Sequence, residues 1–274
     1  MRAFLLTAAL LAAAPALGQE ATRALTNITG DVWRFQNNFH FGLVVVSEDG
    51  VAVADPISAE AAAWLEDELT RITDQPVTHL IYSHSHADHA SGGSVFADTA
   101  TVIAHENAPE TIDGVEIDQR IGDSGSVSLG SKTLEFTYLG PGHGEDLMAV
   151  VVRPENVALV VDAVSHRRLP WRDFGGADVD GLAAQIAAVE ALDFDILAGG
   201  HGPLGDKASA TEAREYLATL RSEVLDGLEA GKTVAELQAE LTLDAYADWQ
   251  GYADWRALNI EGMAGFLEAS GAVN

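Results

Sequence analysis

Four side chains suited to binding zinc lie within six consecutive positions of this sequence. They are His84, His86, Asp88 and His89, three imidazoles and one carboxylate. Both groups are common zinc ligands, and random clustering rarely gives His-x-His-x-Asp-His directly after a strand. The alternatives are a polar surface loop, or core histidines that each bind a backbone carbonyl. The spacing favours a metal site.

The elements around this motif would hold its side chains in place. The apolar run at residues 79–82 predicts a buried strand that ends just before the motif. On an extended backbone His84 and His86 point to the same side, so they could share one ion. Asp88 and His89 follow where the backbone should turn into a helix, and both could point toward a second ion. One short loop could therefore serve two metals.

Three more candidate ligands occur downstream, each at the end of a predicted strand. They lie in Gly140-Pro141-Gly142-His143-Gly144, in Val160-Val161-Asp162-Ala163 and in Gly199-Gly200-His201-Gly202-Pro203. Together with the first motif, these pieces resemble in order the signature of the metallo-β-lactamase superfamily of metallohydrolases. The likeness extends from about residue 31 to about residue 203. The motifs are specific for the superfamily and poorly specific for a substrate.

The resemblance implies a ligand set for two zinc ions. The implied ligands are His84, His86 and His143 at one ion, Asp88, His89 and His201 at the other, and Asp162 as the bridge. Two such ions would hold a bridging hydroxide that attacks a carbonyl or phosphoryl centre. Asp88 would also be catalytic, because its carboxylate could orient this nucleophile and hold a proton for the leaving group. The resemblance thus implies a dinuclear zinc-dependent hydrolase.

Asp162 narrows the choice among subgroups of the superfamily. The chain has no cysteine, which excludes the β-lactamase groups with a Cys ligand near this point. A third β-lactamase group lacks a metal-binding residue here. A carboxylate is the pattern of glyoxalase-II-like thioesterases, lactonases and phosphodiesterases, although the tail shows no basic glutathione-binding set. Exported relatives of quinoprotein or sulfur-oxidation systems match equally well, so the substrate stays open among a lactone, a lactam, an ester and a thioester.

Two other functions on the same fold stay open. An iron-dependent oxidoreductase similar to the sulfur dioxygenases would use fewer ligands at one iron. Di-iron relatives usually carry Glu where His86 stands, so His86 favours zinc. A non-catalytic metal-binding module would usually lack a ligand, and none is missing here.

Four further residues could lie near the site. His166, Arg167 and Arg168 follow Asp162 closely, so they could line the pocket and bind a substrate carboxylate. A solvated turn is the equal alternative. His40 lies on a segment that flanks the site in the superfamily, and it could form a pocket wall.

The amino-acid composition limits the classes of molecule that the protein is expected to bind. Lys and Arg number 15 and Asp and Glu 42, for a formal charge of −27. Such a charge would repel nucleic acid and anionic membrane surfaces, so we expect a small-molecule substrate and neither of those partners. The charge could also reflect only a well-solvated surface, and the sequence leaves the oligomeric state open.

Residues 1–18 predict a cleavable signal peptide. Met1 and Arg2 give a positive start, residues 3–14 are mostly apolar, and Ala16 and Gly18 are small residues that a signal peptidase could read. The apolar run is shorter than the roughly 20 residues that a spanning helix needs. We therefore expect a periplasmic or secreted protein whose mature chain begins at Gln19.

The hydrophobic pattern predicts an α/β fold with a helical tail. Strands at 31–35, 42–46 and 51–55 precede a helix at 59–72, and a second helix is predicted at 179–192. The resemblance implies the four-layer αβ/βα sandwich of the metallo-β-lactamase fold over residues 19–208. Residues 209–274 predict a helical C-terminal extension packed on that domain. The repeated Tyr-Ala-Asp-Trp at 246–249 and 252–255 is expected to pack this extension on the core, with a substrate lid or a dimer contact as alternatives.

Overall fold

The structure is a computed structural model that describes residues 21–273. The predicted signal peptide at 1–18 lies outside the described residues. Within 21–273, no helix combines the length and the apolar character that a membrane span requires.

The first half of the chain forms a seven-stranded sheet. Its strands are β1 (Arg23–Thr29), β2 (Val32–Asn37), β3 (His40–Ser47), β4 (Gly50–Ala54), β5 (Val77–Ile81), β6 (Thr101–His105) and, after the small hairpin of β7 (Thr111–Ile112) and β8 (Val115–Glu116), β9 (Gln119–Ile121). The spatial order is β1-β2-β3-β4-β5-β6-β9. The strands from β1 to β4 are antiparallel, and those from β4 to β9 are parallel. Helix α1 (Ala59–Leu69) makes the crossover from β4 to β5.

The second half forms a six-stranded sheet. Its strands, in spatial as well as chain order, are β10 (Ser124–Leu129), β11 (Lys132–Tyr138), β12 (Met148–Arg153), β13 (Val157–Val160), β14 (Ile196–Gly199) and β15 (Gly205–Asp206). All neighbours are antiparallel except β13 and β14, which helix α3 (Val179–Ala191) connects in parallel.

The two sheets pack face to face between helical layers. In β4, Ala52 and Ala54 belong to the core that the first sheet shares with the second, whereas Val51 and Val53 belong to the core under α1. This alternation follows from the two-residue period of a strand. Helix α3 packs on the second sheet, and its buried residues belong to the same continuous cluster as those of that sheet. The predicted four-layer αβ/βα sandwich is confirmed.

The C-terminal region is helical, as the sequence predicts. Helices α4 (Ala208–Glu229), α5 (Val234–Glu240) and α6 (Tyr252–Ala269) follow the second sheet, and the capping box of Thr233 and Glu236 opens α5. Helix α6 buries Ile260 and Met263 in the core of the second sheet. The boundary between residues 208 and 209 stays a prediction.

Candidate metal centre

All seven predicted ligands lie in segments that connect one strand to the next. His84 and His86 follow β5, Asp88 and His89 lie on the short helix α2 (Ala87–Ala90), His143 precedes β12, Asp162 follows β13 and His201 follows β14. The first sheet therefore supplies four of these side chains and the second sheet supplies three. Since the carboxyl ends of parallel strands share one edge of a sheet, the loops can meet at one point.

The first group consists of His84, His86, His143 and Asp162. One possible ligand atom from each lies within 4.8 Å of the others. His86 Nδ1 is 3.0 Å from His143 Nε2, which is 3.1 Å from Asp162 Oδ2. His84 Nε2 is 3.5 Å from the same carboxylate oxygen. The structure thus brings together the side chains that the resemblance implies for one ion.

The second group contains Asp88, His89 and His201, together with His40. His89 Nε2 is 3.2 Å from His201 Nε2 and 3.8 Å from Asp88 Oδ2. His40 Nε2 is 3.3 Å from Asp88 Oδ2, and its ring lies 4.9 Å from the ring of His201. Sequence reasoning gave His40 only a place in the pocket wall. Nothing in its spacing shows that it meets Asp88, because only the position of β3 against α2 brings the two together.

Asp162 lies between the two groups. Its Oδ2 is 3.1 Å from His143 Nε2 and 3.6 Å from His89 Nε2, and its Oδ1 is 3.0 Å from His201 Nε2. Burial acts to raise the pKa of this carboxyl, but the surrounding imidazoles of His143, His201, His84 and His89 lower it well below its ordinary value. Asp162 is therefore an ionised carboxylate that faces both groups, which is the geometry that a bridging ligand needs.

The charge of Asp162 also acts on its neighbours. Burial acts to lower the pKa of His89, but the hydrogen bond and charge of Asp162 outweigh it and raise that pKa to about 9. The hydrogen bond from His40 is the main reason that the pKa of Asp88 lies well below its ordinary value. Asp88 and Asp162 thus both carry the charge that a metal ligand needs, and His89 has a proton to give up.

The residues present fit two metal ions. His84 Nε2 is buried with no hydrogen-bond partner among the described residues, although it faces Asp162. The facing ring nitrogens of His86 and His143, and those of His89 and His201, can form hydrogen bonds only if one of each pair carries a proton. A cation at each group would satisfy all of these nitrogens at once. Imidazole and carboxylate donors suit zinc, and they suit iron as well.

A buried hydrogen-bond chain orients His84. Asp55 accepts hydrogen bonds from the Ser83 backbone N–H at 2.8 Å and from Ser83 Oγ at 2.7 Å, and this hydroxyl lies 3.0 Å from His84 Nδ1. Burial raises the pKa of Asp55, against the charges of His89 and His84 and the hydrogen bonds of Ser83. When Asp55 is ionised, Ser83 must donate to it, so His84 Nδ1 donates to Ser83. The lone pair of His84 then lies on Nε2, toward Asp162.

A second set of contacts orients His201. Its Nδ1 lies 2.8 Å from the carbonyl oxygen of Phe39, which can only accept, so the free lone pair lies on Nε2. The buried Arg34 donates from one nitrogen to the carbonyls of Gly199 and Gly202, both at 2.8 Å, while Phe41 N–H donates to Gly200. The β2–β3 hairpin of the first sheet thus holds the loop that carries a ligand of the second.

Gly200 is required where this loop passes α2. A Cβ atom added there would lie 2.6 Å from Val161 Cγ1 and 3.0 Å from His89 Cε1. A side chain at this position would clash with Val161 and press against the candidate ligand His89. This close packing explains why residue 200 is glycine.

A cavity of about 1520 Å³ opens beside the two groups. His86, Asp88, His143, Asp162 and His201 line one end of it. Arg168 lines it as well, so this part of the sequence prediction is confirmed. His166 instead lies 2.9 Å from Ser209 Oγ, and Arg167 pairs with Asp248 at 2.5 Å. Neither is among the lining residues, and both lie in a turn, which is the alternative that the sequence left open for them.

Comparison with known proteins agrees with this architecture. The family model described as the metallo-beta-lactamase superfamily matches residues 38–225, more than half of the chain and the whole span of the seven candidate ligands. The chain belongs to the metallo-beta-lactamase superfamily. As a member of this superfamily it is a metal-dependent hydrolase by class.

Solved structures of similar fold support the assignment. A metallo-beta-lactamase from Pontibacter korlensis superposes with a TM-score of 0.65 and 20% identity, over 72% of this chain and 99% of that one. TMB-1 gives a TM-score of 0.62 and 20% identity, over 72% of this chain and 97% of its own. At this identity, both show the fold alone.

One curated relative is similar in sequence. The alpha subunit of 2,4-dinitroanisole O-demethylase from Nocardioides sp. (strain JS1661) is 26% identical over 162 residues, which cover 55% of this chain and 49% of the relative. This superfamily member thus spans about half the length of the curated relative that it matches.

Proposed function

We propose that the protein is an exported hydrolase that uses two zinc ions to cleave a lactone, lactam, ester or thioester. The observation that carries the proposal is the position of Asp162, whose two oxygens face two separate groups of candidate ligands. The superfamily supports hydrolysis, and the imidazole and carboxylate donors support a metal.

The ligands divide as the two groups do. His84, His86 and His143 would hold the first ion, Asp88, His89 and His201 would hold the second, and Asp162 would be shared by both. When bound, the ions supply an acidified water as nucleophile and positive charge for the carbonyl oxygen. His40 is a positioning residue, because its hydrogen bond holds the carboxylate of Asp88 in its orientation.

Asp88 is the proposed catalytic side chain. Its side chain is 53% exposed and lines the cavity, so a substrate can reach it. Because it is ionised, its carboxylate can accept a hydrogen bond from the attacking water and orient it. It can then receive the proton of that water and pass it to the leaving alkoxide, amine or thiolate. The C–O, C–N or C–S bond breaks as that proton arrives.

Export and the partners are part of the same proposal. The predicted signal peptide supports a periplasmic or secreted enzyme, and the formal charge of −27 supports a small molecule over nucleic acid or an anionic membrane as its partner. Sulfur-dioxygenase-like chemistry at iron is the competing proposal, and the presence of His86 favours zinc over it.

An aryl ether is a second candidate substrate. The curated relative is named for O-demethylation of 2,4-dinitroanisole. Aromatic side chains such as Trp249 and Trp255 line the cavity here, which suits an aromatic ring. Attack of the same water on the ring carbon would release an alcohol and leave a phenol.

A panel of substrates tests the proposal. Zinc-loaded protein would be assayed with a chromogenic β-lactam, an acyl lactone, a glutathione thioester, an activated phosphodiester and 2,4-dinitroanisole. We expect turnover of one class, and Asp88→Asn should lower kcat by at least about 100-fold. Turnover that survives in Asp88→Asn would contradict the role of Asp88. Bound iron with an optical signature, and no hydrolysis, would favour the oxidoreductase.

A further inference from the structure

The cavity continues well beyond the candidate metal centre into an apolar region. Its wall there includes Phe174, Leu182, Ile186, Trp249 and Trp255. These side chains come from the loop after β13, from α3 and from the C-terminal region, so the wall combines the sandwich with its helical tail. Wide apolar walls beside a few polar groups are typical of sites for small molecules with a substantial apolar part.

The mouth of the cavity is also apolar. Phe39 is 75% exposed and Trp171 is 54% exposed, and both line the cavity. Leu204, 39% exposed, follows the lining residue Pro203. These three are the large exposed hydrophobic side chains of the part of the chain that the structure describes. Because two of the three line the same cavity, this opening is a candidate binding surface.

Arg168 is a cation that lines this cavity, and the carboxylate of Asp162 acts on its charge. The Arg168 guanidinium lies 4.6 Å from the centre of the Trp255 ring, and the side chain is half-buried. Among residues 21–273, no side chain or carbonyl forms a hydrogen bond or an ion pair with it. Two other arginines do have such partners, since Arg167 pairs with Asp248 and Arg34 donates to two carbonyls. Removing a guanidinium from water is costly unless an anion or several acceptors replace the water.

We infer that this cavity binds an amphiphilic anion, with its hydrocarbon or aromatic body against Trp249 and Trp255 and its carboxylate at Arg168. The planar guanidinium can donate two parallel hydrogen bonds to a carboxylate, and stacking on Trp255 holds it in place. A bond to be hydrolysed then lies at the end of the cavity lined by Asp88 and Asp162. The position of the bond to be hydrolysed rests on the proposed function, whereas the binding of the anion does not.

Binding of alkanoates tests the inference without any turnover. Butyrate, hexanoate, octanoate and decanoate, with decanamide as the neutral analogue, would be titrated into zinc-loaded protein by calorimetry. Each added methylene should tighten binding by about fourfold as apolar surface is buried. Decanoate that binds no more tightly than butyrate would overturn the apolar part of the inference.

Two adjacent arginines supply a matched pair of variants. Arg168→Gln should weaken decanoate at least about tenfold and leave decanamide unchanged, because only the carboxylate meets the guanidinium. Arg167→Gln, whose side chain pairs outside the cavity, should change neither. A carboxylate that binds the metal ions contributes equally in both variants. Equal decanoate affinity in the two variants would overturn the role of Arg168.

A third variant guards against misfolding. Arg168→Lys keeps the cation and should recover part of the decanoate affinity that Arg168→Gln loses. If all five substrates of the hydrolysis panel fail while decanoate binds as expected, the inference stands and the proposed reaction fails. If hydrolysis succeeds while alkanoate length has no effect, the inference fails alone.

Discussion

Asp162 is the residue on which both metal groups depend. It is the one carboxylate among the seven predicted ligands that faces histidines of both groups. The buried site removes this charge from water, and four imidazoles around it compensate. Its position explains how one side chain could hold both proposed ions.

Asp162→Asn is therefore expected to lose metal and activity together. The amide keeps the shape but removes the charge, so affinity for zinc should fall at least about 100-fold and turnover with it. Zinc content after gel filtration and kcat measure the two effects. Asp74→Asn, in an exposed loop between α1 and β5, is the matched control. Two tightly held ions in Asp162→Asn would refute the bridge.

His40 should affect the second ion more than the first. His40→Ala removes the hydrogen-bond donor to Asp88, so the second zinc should bind about 10- to 100-fold more weakly. Stepwise titration with cobalt, followed by visible absorption, separates the two binding events. If both steps weaken equally, His40 acts on the whole centre and not through Asp88.

Zinc uptake should release protons. In the metal-free protein the pKa of His89 is about 9, so this imidazole is protonated at neutral pH and must lose its proton to bind zinc. Affinity should thus rise with pH up to about 9, because deprotonation then costs nothing more. Calorimetry at pH 7 in buffers of different ionisation enthalpy counts the protons. A count of zero would show that His89 is already neutral.

At the scale of elements, the β2–β3 hairpin supports the loop after β14. Arg34 and Phe41 contact Gly199, Gly200 and Gly202 from the opposite sheet. The sequence identifies the ligands because their order and spacing resemble a family. It does not reveal the role of Arg34, because this residue contacts the loop of the second sheet only when the two sheets pack together.

Arg34→Met keeps the length of the side chain and removes its hydrogen bonds. Two loop carbonyls would lose their donor, so the free energy of unfolding should fall by about 1–3 kcal/mol, and zinc affinity should fall because His201 loses its support. Urea unfolding and zinc titration measure both. Arg71→Met, at an exposed arginine in the turn after α1, should change neither. An unchanged zinc affinity in Arg34→Met would show that the His201 loop holds its shape unaided.

At the scale of the molecule, the proposed ions would join the two sheets. Four predicted ligands come from the first sheet and three from the second, so each ion links both. The sandwich could be predicted because the ligand motifs resemble those of a family with this fold, and the pattern of apolar strands with a covering helix agrees with it. The cavity does not, because Trp249 both packs on Tyr216 and faces the cavity, and only tertiary packing decides this.

Removing the metal should therefore lower the melting temperature of the whole sandwich. With free zinc at 100 times its dissociation constant, each site contributes about 2.7 kcal/mol, which corresponds to roughly 5–10 °C for a domain of this size. Differential scanning calorimetry with zinc and with a chelator measures the difference. Identical melting temperatures would mean that the ions do not link the sheets.

The most direct test follows turnover as zinc is added back to metal-free protein, with native mass spectrometry counting the bound ions. The bond class that the substrate panel identifies would be the reporter. A dinuclear hydrolase predicts that kcat rises until two zinc ions are bound per chain and then stays constant. Full turnover with one ion or none, or activity restored only by iron, would contradict the dinuclear zinc centre.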